Sequence, residues 1–182
     1  MAQLLNIVDE NDEIIGVETR EAIHAQGLRH RETHVFFVTP QRELIFQHRA
    51  PNKDTYPDLL DATVGGHVEI GDSYLETAIK ETREETGVML EASDLILINK
   101  IFKRGEDKLT GKINNVVNTR YAYIFRGQAS DLKIEACKAV GFEVWPLCKL
   151  ISLSESEANL FIPYILELAR GELREFVNQL NF

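Results

Sequence analysis

Gly65-Gly66-His67-Val68-Glu69-Ile70-Gly71-Asp72-Ser73, continued through Glu76 by Lys80-Glu81-Thr82-Arg83-Glu84-Glu85-Thr86-Gly87-Val88, is the stretch from which the rest of the chain can be read. It has the form of a glycine loop, a capped helix dense in carboxylates, and a glycine stop. Ser73 with Glu76 makes a capping box, which places the start of the helix near residue 74. Gly87 ends it, as a residue that takes positive φ at a C-cap does. Leu75, Ala78, Ile79 and Thr82 are expected to form the buried stripe. Glu81, Glu84 and Glu85 fall at i, i+3 and i+4, which gathers their carboxylates on one patch. Each like-charged pair on a helix costs roughly 0.2–0.5 kcal/mol, so folding alone gives no reason for the arrangement. A hard divalent ion such as Mg²⁺ or Mn²⁺ does, because it takes oxygen ligands in fixed geometry. The competing reading is a solvated acidic helix face, and the glycine loop in front weighs against it.

This stretch resembles the signature box of the Nudix hydrolases: Gly, five residues, Glu, seven residues, Arg-Glu, an apolar residue, any residue, Glu-Glu, any residue, Gly, an apolar residue. Gly66, Glu81, Glu84, Glu85, Gly87 and Val88 match it over 23 residues. Three positions depart from it: Asp72 for the first Glu, Lys80 for the Arg, and Thr82 for the apolar residue. Asp72 has one methylene less of reach, and Lys80 lacks the planar fork that grips a carboxylate bidentately. The resemblance implies the Nudix sandwich and the cleavage of a diphosphate linked to some other moiety. It also implies that Glu81, Glu84 and Glu85 ligate Mg²⁺ (or Mn²⁺) and are the catalytic groups, one of them acting as base. The backbone carbonyl of Gly65 is implied as a further metal ligand, and Asp72 is expected to be structural.

A narrower resemblance covers roughly residues 5–85 and points to the Nudix branch that includes isopentenyl-diphosphate isomerase. There Arg49 and Lys53, on the loop Arg49-Ala50-Pro51-Asn52-Lys53-Asp54-Thr55-Tyr56-Pro57, match cations that hold the substrate diphosphate. The isomerase needs a cysteine where this chain has Gly65, and glutamates in the run Lys112 to Thr119, which contains no acid. A glycine can neither give nor take a proton, so the hydrolase reading leads and the isomerase reading trails it. His30 and His67 align with metal-binding positions of the isomerase, and His24 lies near a third. Without the cysteine and glutamates, these histidines are expected to be ordinary polar or pocket-lining residues, and His34 and His48 to be structural. Lys138 stands where the branch carries a further acid, with Glu135 the nearest carboxylate. That departure, with Asp72, Lys80 and Thr82, supports a rival reading as a catalytically weak ligand-binding module.

The remaining sequence sets bounds. At 182 residues, with 44% hydrophobic and 27% charged residues, one soluble domain is expected. It would carry an N-terminal β-hairpin extension (about 1–30) and a C-terminal helix (about 163–180). No apolar run is long enough to span a membrane, and Met1 to Asn6 does not begin a signal peptide. Cys137 and Cys148 suit a reduced cytoplasmic setting. A net charge of −9 argues against a nucleic-acid polymer as partner. The expected partner is a small-molecule diphosphate.

Strands are expected at 4–8, 14–18, 34–38, 43–49, 95–102, 116–125 and 141–145, with a short helix from Thr19 to Gly27. Residues 50–61 read as irregular, and Lys103 to Lys112, with Lys103, Arg104, Lys108 and Lys112, as a mobile basic loop. Tyr56, Phe102, Tyr121, Tyr123 and Trp145 are expected in the core. From Pro163, Ile165, Leu168, Ala169, Leu173, Phe176, Val177 and Leu180 form an apolar stripe that packs on the domain, a homodimer contact being the lesser alternative. Strands outnumber helices and do not alternate with them, which gives an α+β class: a mixed sheet sandwiched between helices.

Overall fold

The computed structural model describes residues 2–53, 55–107 and 110–182. Its strands in chain order are β1 (Leu4–Val8), β2 (Ile14–Thr19), β3 (Arg29–Val38), β4 (Glu43–Arg49), β5 (Leu60–Asp61), β6 (Val64–His67), β7 (Leu95–Glu106), β8 (Ile113–Ile124) and β9 (Ala139–Pro146). The helices are α1 (Arg20–Gln26), α2 (Tyr74–Thr86), α3 (Leu147–Leu150), α4 (Glu155–Ala158), α5 (Pro163–Arg170) and α6 (Glu172–Gln179).

β3 is the hub. Along its whole length it runs parallel to β8, from Arg29↔Asn115 to Val38↔Ile124. On the other side β6 pairs antiparallel with its middle, Glu32 to Val35, and β4 with its last residues, Phe37 and Val38. β9 extends the sheet from β4, β7 extends it from β8, and the β1–β2 hairpin joins through Ile7↔His30. One parallel pairing among antiparallel ones makes the sheet mixed, as expected.

Side chains of period two then split the core. Val35 and Phe37 of β3, with Ile45 of β4, pack beneath α2 beside Ala78. Phe36, Val38, Leu44 and Phe46 face the other way, against Ile165, Leu168, Ala169, Leu173 and Val177 of α5 and α6. The sheet is therefore sandwiched between α2 and the C-terminal helices, whose apolar stripe packs inward.

α2 begins and ends where its caps predict. Ser73 Oγ accepts from the Glu76 amide, the Glu76 carboxylate accepts from the Ser73 amide, and Gly87 closes the helix at φ 74°. Its buried residues are Thr77, Ala78, Thr82, Glu85 and Thr86, while Leu75 and Ile79 are half-buried. The inward face therefore contains an acid.

Four expectations are corrected. The glycine loop is partly strand, since Gly65 and Gly66 lie in β6 opposite His34 and Thr33. Lys103 to Glu106 continue β7, because β8 supplies partners through Arg104↔Asn115 and Glu106↔Ile113. A two-sided polar strand needs only such a partner ladder; Lys108 lies outside the described residues. The helix expected over 163–180 is two helices, broken at Gly171, whose φ and ψ of −100° and −103° are not helical. Of the aromatics, Tyr56, Tyr121, Tyr123 and Trp145 pack in the core, but Phe102 is 53% exposed beneath the Arg29 guanidinium. Cys137 and Cys148 are free and exposed. No helix among the described residues is long and apolar enough to cross a membrane.

Candidate active site

Packing of α2 against β6 decides which glutamates turn inward. Glu85 is 4% exposed, and its Oε2 accepts from Gln47 Nε2 at 3.0 Å and from the Gly65 amide at 3.3 Å. Burial pushes its carboxyl up to about 7, against the pull of the Lys138 ammonium. Glu81 lies one turn earlier and is raised as well, first by burial, with Lys138 opposing and Glu84 adding to it. Its Oε2 is buried without a hydrogen-bond partner. Gly66 makes room for it: a Cβ there would stand 2.6 Å from the Glu81 carboxyl carbon. Glu84 is exposed, with Oε1 3.8 Å from Arg83.

The departures from the signature have local explanations. Lys80 Nζ pairs with Glu69 Oε2 at 2.5 Å, tying the helix to the preceding loop through a carboxylate other than Asp72. Thr82 is buried, and its hydroxyl donates to the Ala78 carbonyl at 2.7 Å, so a hydroxyl is accommodated where the signature has an apolar residue.

Gly65, Gly66, Glu81, Glu85, Arg49, Lys53 and Lys138 all line one cavity of about 590 Å³. Arg20, Lys112, Glu32 and Tyr164 line it too, and were not singled out as site residues from sequence. Arg49 reaches the cavity while bracing its own loop: it donates to the carbonyls of Tyr56 and Thr55 and to Asp61 Oδ2. Glu84 is absent from the lining. Buried carboxylates turned to a common space, one with an oxygen left without a donor, suit a hard divalent ion; Glu81 and Glu85 provide that donor set.

Of the histidines expected to be ordinary polar or pocket-lining residues, His24 and His67 line the same cavity and His30 is buried beside them. His24, His30 and His67 bring one ring nitrogen each to within 4.8 Å of one another. His24 Nε2 lies 3.3 Å from His67 Nε2, and His30 Nε2 is buried without a partner. Burial pushes His67 down to about 3 and lowers His30, so both rings are neutral at neutral pH, the form that ligates metals. Such a triad can hold a first-row transition ion. The isomerase resemblance points to this grouping, which spacing alone cannot show because the three lie on α1, β3 and β6. His34 is set apart, with Nε2 3.7 Å from Glu32 Oε1, and His48 pairs with Asp58 and Glu143.

Comparison with known proteins agrees with the fold. The sequence profile of the NUDIX domain matches residues 28–160, and the chain belongs to that family. Nudix hydrolase CA_C0446 of Clostridium acetobutylicum is 35% identical over 142 residues, covering 76% of this chain and 68% of its own length. Nudix hydrolase YPO2781/y1614 of Yersinia pestis is 40% identical over 84 residues, 46% of each chain, so the match spans about half the length of that relative. Among solved structures, DR0079 of Deinococcus radiodurans superposes with a TM-score of 0.65 at 24% identity, covering 97% of this chain and 98% of that one.

Proposed function

We propose that this chain is a divalent-metal-dependent hydrolase that cleaves the diphosphate linkage of a nucleoside diphosphate-type or other organic diphosphate, by water attack at phosphorus. The observation that carries the reading is the pair Glu81 and Glu85 at one cavity: Glu85 is buried, Glu81 is largely enclosed, and Glu81 Oε2 is buried without a hydrogen-bond partner. In this reading Glu81, Glu85 and the Gly65 carbonyl hold Mg²⁺ or Mn²⁺, Glu84 reaches the ion only by turning in from the exposed side of the helix, and one of the glutamates takes the proton of the attacking water. When bound, the ion supplies Lewis acidity toward the phosphate oxygens and toward that water. Arg49 and Lys53, with Arg20 and Lys112, surround an anionic substrate with local positive charge in a protein of net charge −9. Gly65, in place of a proton-carrying side chain, disfavours alkene isomerisation.

The test is a panel of organic diphosphates incubated with Mg²⁺ or Mn²⁺, with products identified by mass. Metal-dependent cleavage of a diphosphate linkage is expected. Tight ligand binding without turnover across the panel would leave a binding module in its place.

A pH dependence follows from Glu85. Its carboxyl titrates at about 7 without metal, so proton and ion compete for it. Ionisation grows as pH rises, and the affinity of the free protein for Mn²⁺ should climb by up to about tenfold per pH unit below 7, then level off. Calorimetric titrations that give one affinity across this range would remove Glu85 from the ligand set.

A further inference from the structure

The helix carboxylates at the cavity already face a cation, and it belongs to the chain. Lys138 Nζ lies 2.9 Å from Glu135 Oε2, 3.5 Å from Glu81 Oε2 and 3.7 Å from Glu85 Oε1. The first is the closest ion pair, and the other two are looser contacts between charges. The ammonium thus stands among the two buried helix carboxylates and one carboxylate from its own turn.

The backbone fixes where this side chain enters. Cys137 takes a φ of 67°, the Lys138 amide donates to the Glu135 carbonyl at 3.2 Å, and the Lys138 carbonyl accepts from the Ala50 amide at 3.1 Å. Upstream, the Lys133 amide donates to the Thr86 carbonyl at 2.9 Å, which ties the same loop to the end of α2. With the main chain held on both sides, the flexible four-carbon stem is the part free to move. Glu135 gives the ammonium a partner that is not on the helix.

We propose that Lys138 is a tethered counter-ion: its single charge offsets part of the charge of Glu81 and Glu85 in the metal-free protein, and an entering divalent ion drives it away from them while it stays paired with Glu135. This rests on the reading of Glu81 and Glu85 as metal ligands. Two enclosed carboxylates with no cation nearby are costly, and an ammonium supplies one positive charge between them without an ion from solution. The same ammonium repels a divalent ion brought to those oxygens. The affinity of the free protein for the ion is therefore a competition, and it is weaker than the carboxylates alone would give. Sequence shows only a lysine where the resembling branch carries an acid; its place among these carboxylates is a fact of the tertiary structure.

The test measures Mn²⁺ binding to the free protein by the paramagnetic resonance signal of unbound ion. Lys138→Gln should bind Mn²⁺ about tenfold more tightly or better. Lys138→Arg keeps the charge and should bind no more tightly than the parent. In the unaltered protein, Mg²⁺ should increase acetylation of Lys138 by an amine-reactive reagent, read by mass spectrometry, a readout that holds even if Lys138→Gln does not fold. Unchanged or weaker Mn²⁺ binding by folded Lys138→Gln, or acetylation indifferent to Mg²⁺, overturns the proposal. If the parent binds Mn²⁺ and Glu85→Gln loses it while Lys138→Gln binds like the parent, the counter-ion role falls and the metal site stands. If none of these proteins binds Mn²⁺, both fall together.

Discussion

Replacing Glu85 by glutamine should leave the protein folded and lower kcat/KM by about 10²–10⁴-fold, the range over which a group acting on a transferred proton or its activating charge is felt. The fold survives because glutamine keeps the shape of the side chain. Its carbonyl oxygen can still accept from Gln47 Nε2 and the Gly65 amide, as Glu85 Oε2 does. What disappears is a negative charge turned toward the cavity. Stability should also respond to pH with a defined sign. The folded carboxyl titrates at about 7, above the ordinary glutamate value of 4.5. The metal-free parent therefore loses stability as pH rises between those values, because its folded form binds the extra proton there. Glu85→Gln should lack that part of the decline in thermal melts. Parental turnover by a folded Glu85→Gln would end the hydrolase mechanism proposed above.

Gly66→Ala should be almost as damaging, although it adds a single methyl group. The new Cβ would stand 2.6 Å from Cγ, Cδ and Oε1 of Glu81, closer than real Cβ contacts come. Gly66 lies in β6 opposite Thr33, in a strand conformation that alanine adopts without strain, so the backbone has no reason to move. The long Glu81 side chain gives way and leaves its position beside Glu85. A loss of about 10–100-fold in Mn²⁺ affinity is expected, the scale seen when the support of a metal ligand is removed, together with a matching fall in turnover. Unchanged circular dichroism with parental Mn²⁺ binding would show that Glu81 does not need this space.

Much of the frame was legible because local rules decide it. Ser73, Glu76 and Gly87 delimit α2 through hydrogen bonds within a few residues of chain, and the caps fall as expected. The continuous apolar run Val35-Phe36-Phe37-Val38 after His34 reads as a strand, and the structure divides those residues between two cores. Errors arose where a partner strand or a single dihedral decides. Lys103 to Glu106 carry no apolar signal of their own and are strand because β8 is beside them. Gly171 breaks an apolar stripe that continues across it in sequence.

The site divides along the same line. Helical periodicity alone puts Glu81, Glu84 and Glu85 on neighbouring positions, and the glycines before the helix belong to the same local pattern. Periodicity cannot say which of the three is driven inward. That follows from the face α2 turns to β6, where Glu81 and Glu85 are enclosed and Glu84 is left in solvent. Nor can spacing bring Lys138 to those carboxylates, or His24, His30 and His67 to one another. Contacts between segments far apart in the chain exist only once the sheet has closed, because its hydrogen-bonded register sets the distances between groups that no local rule relates.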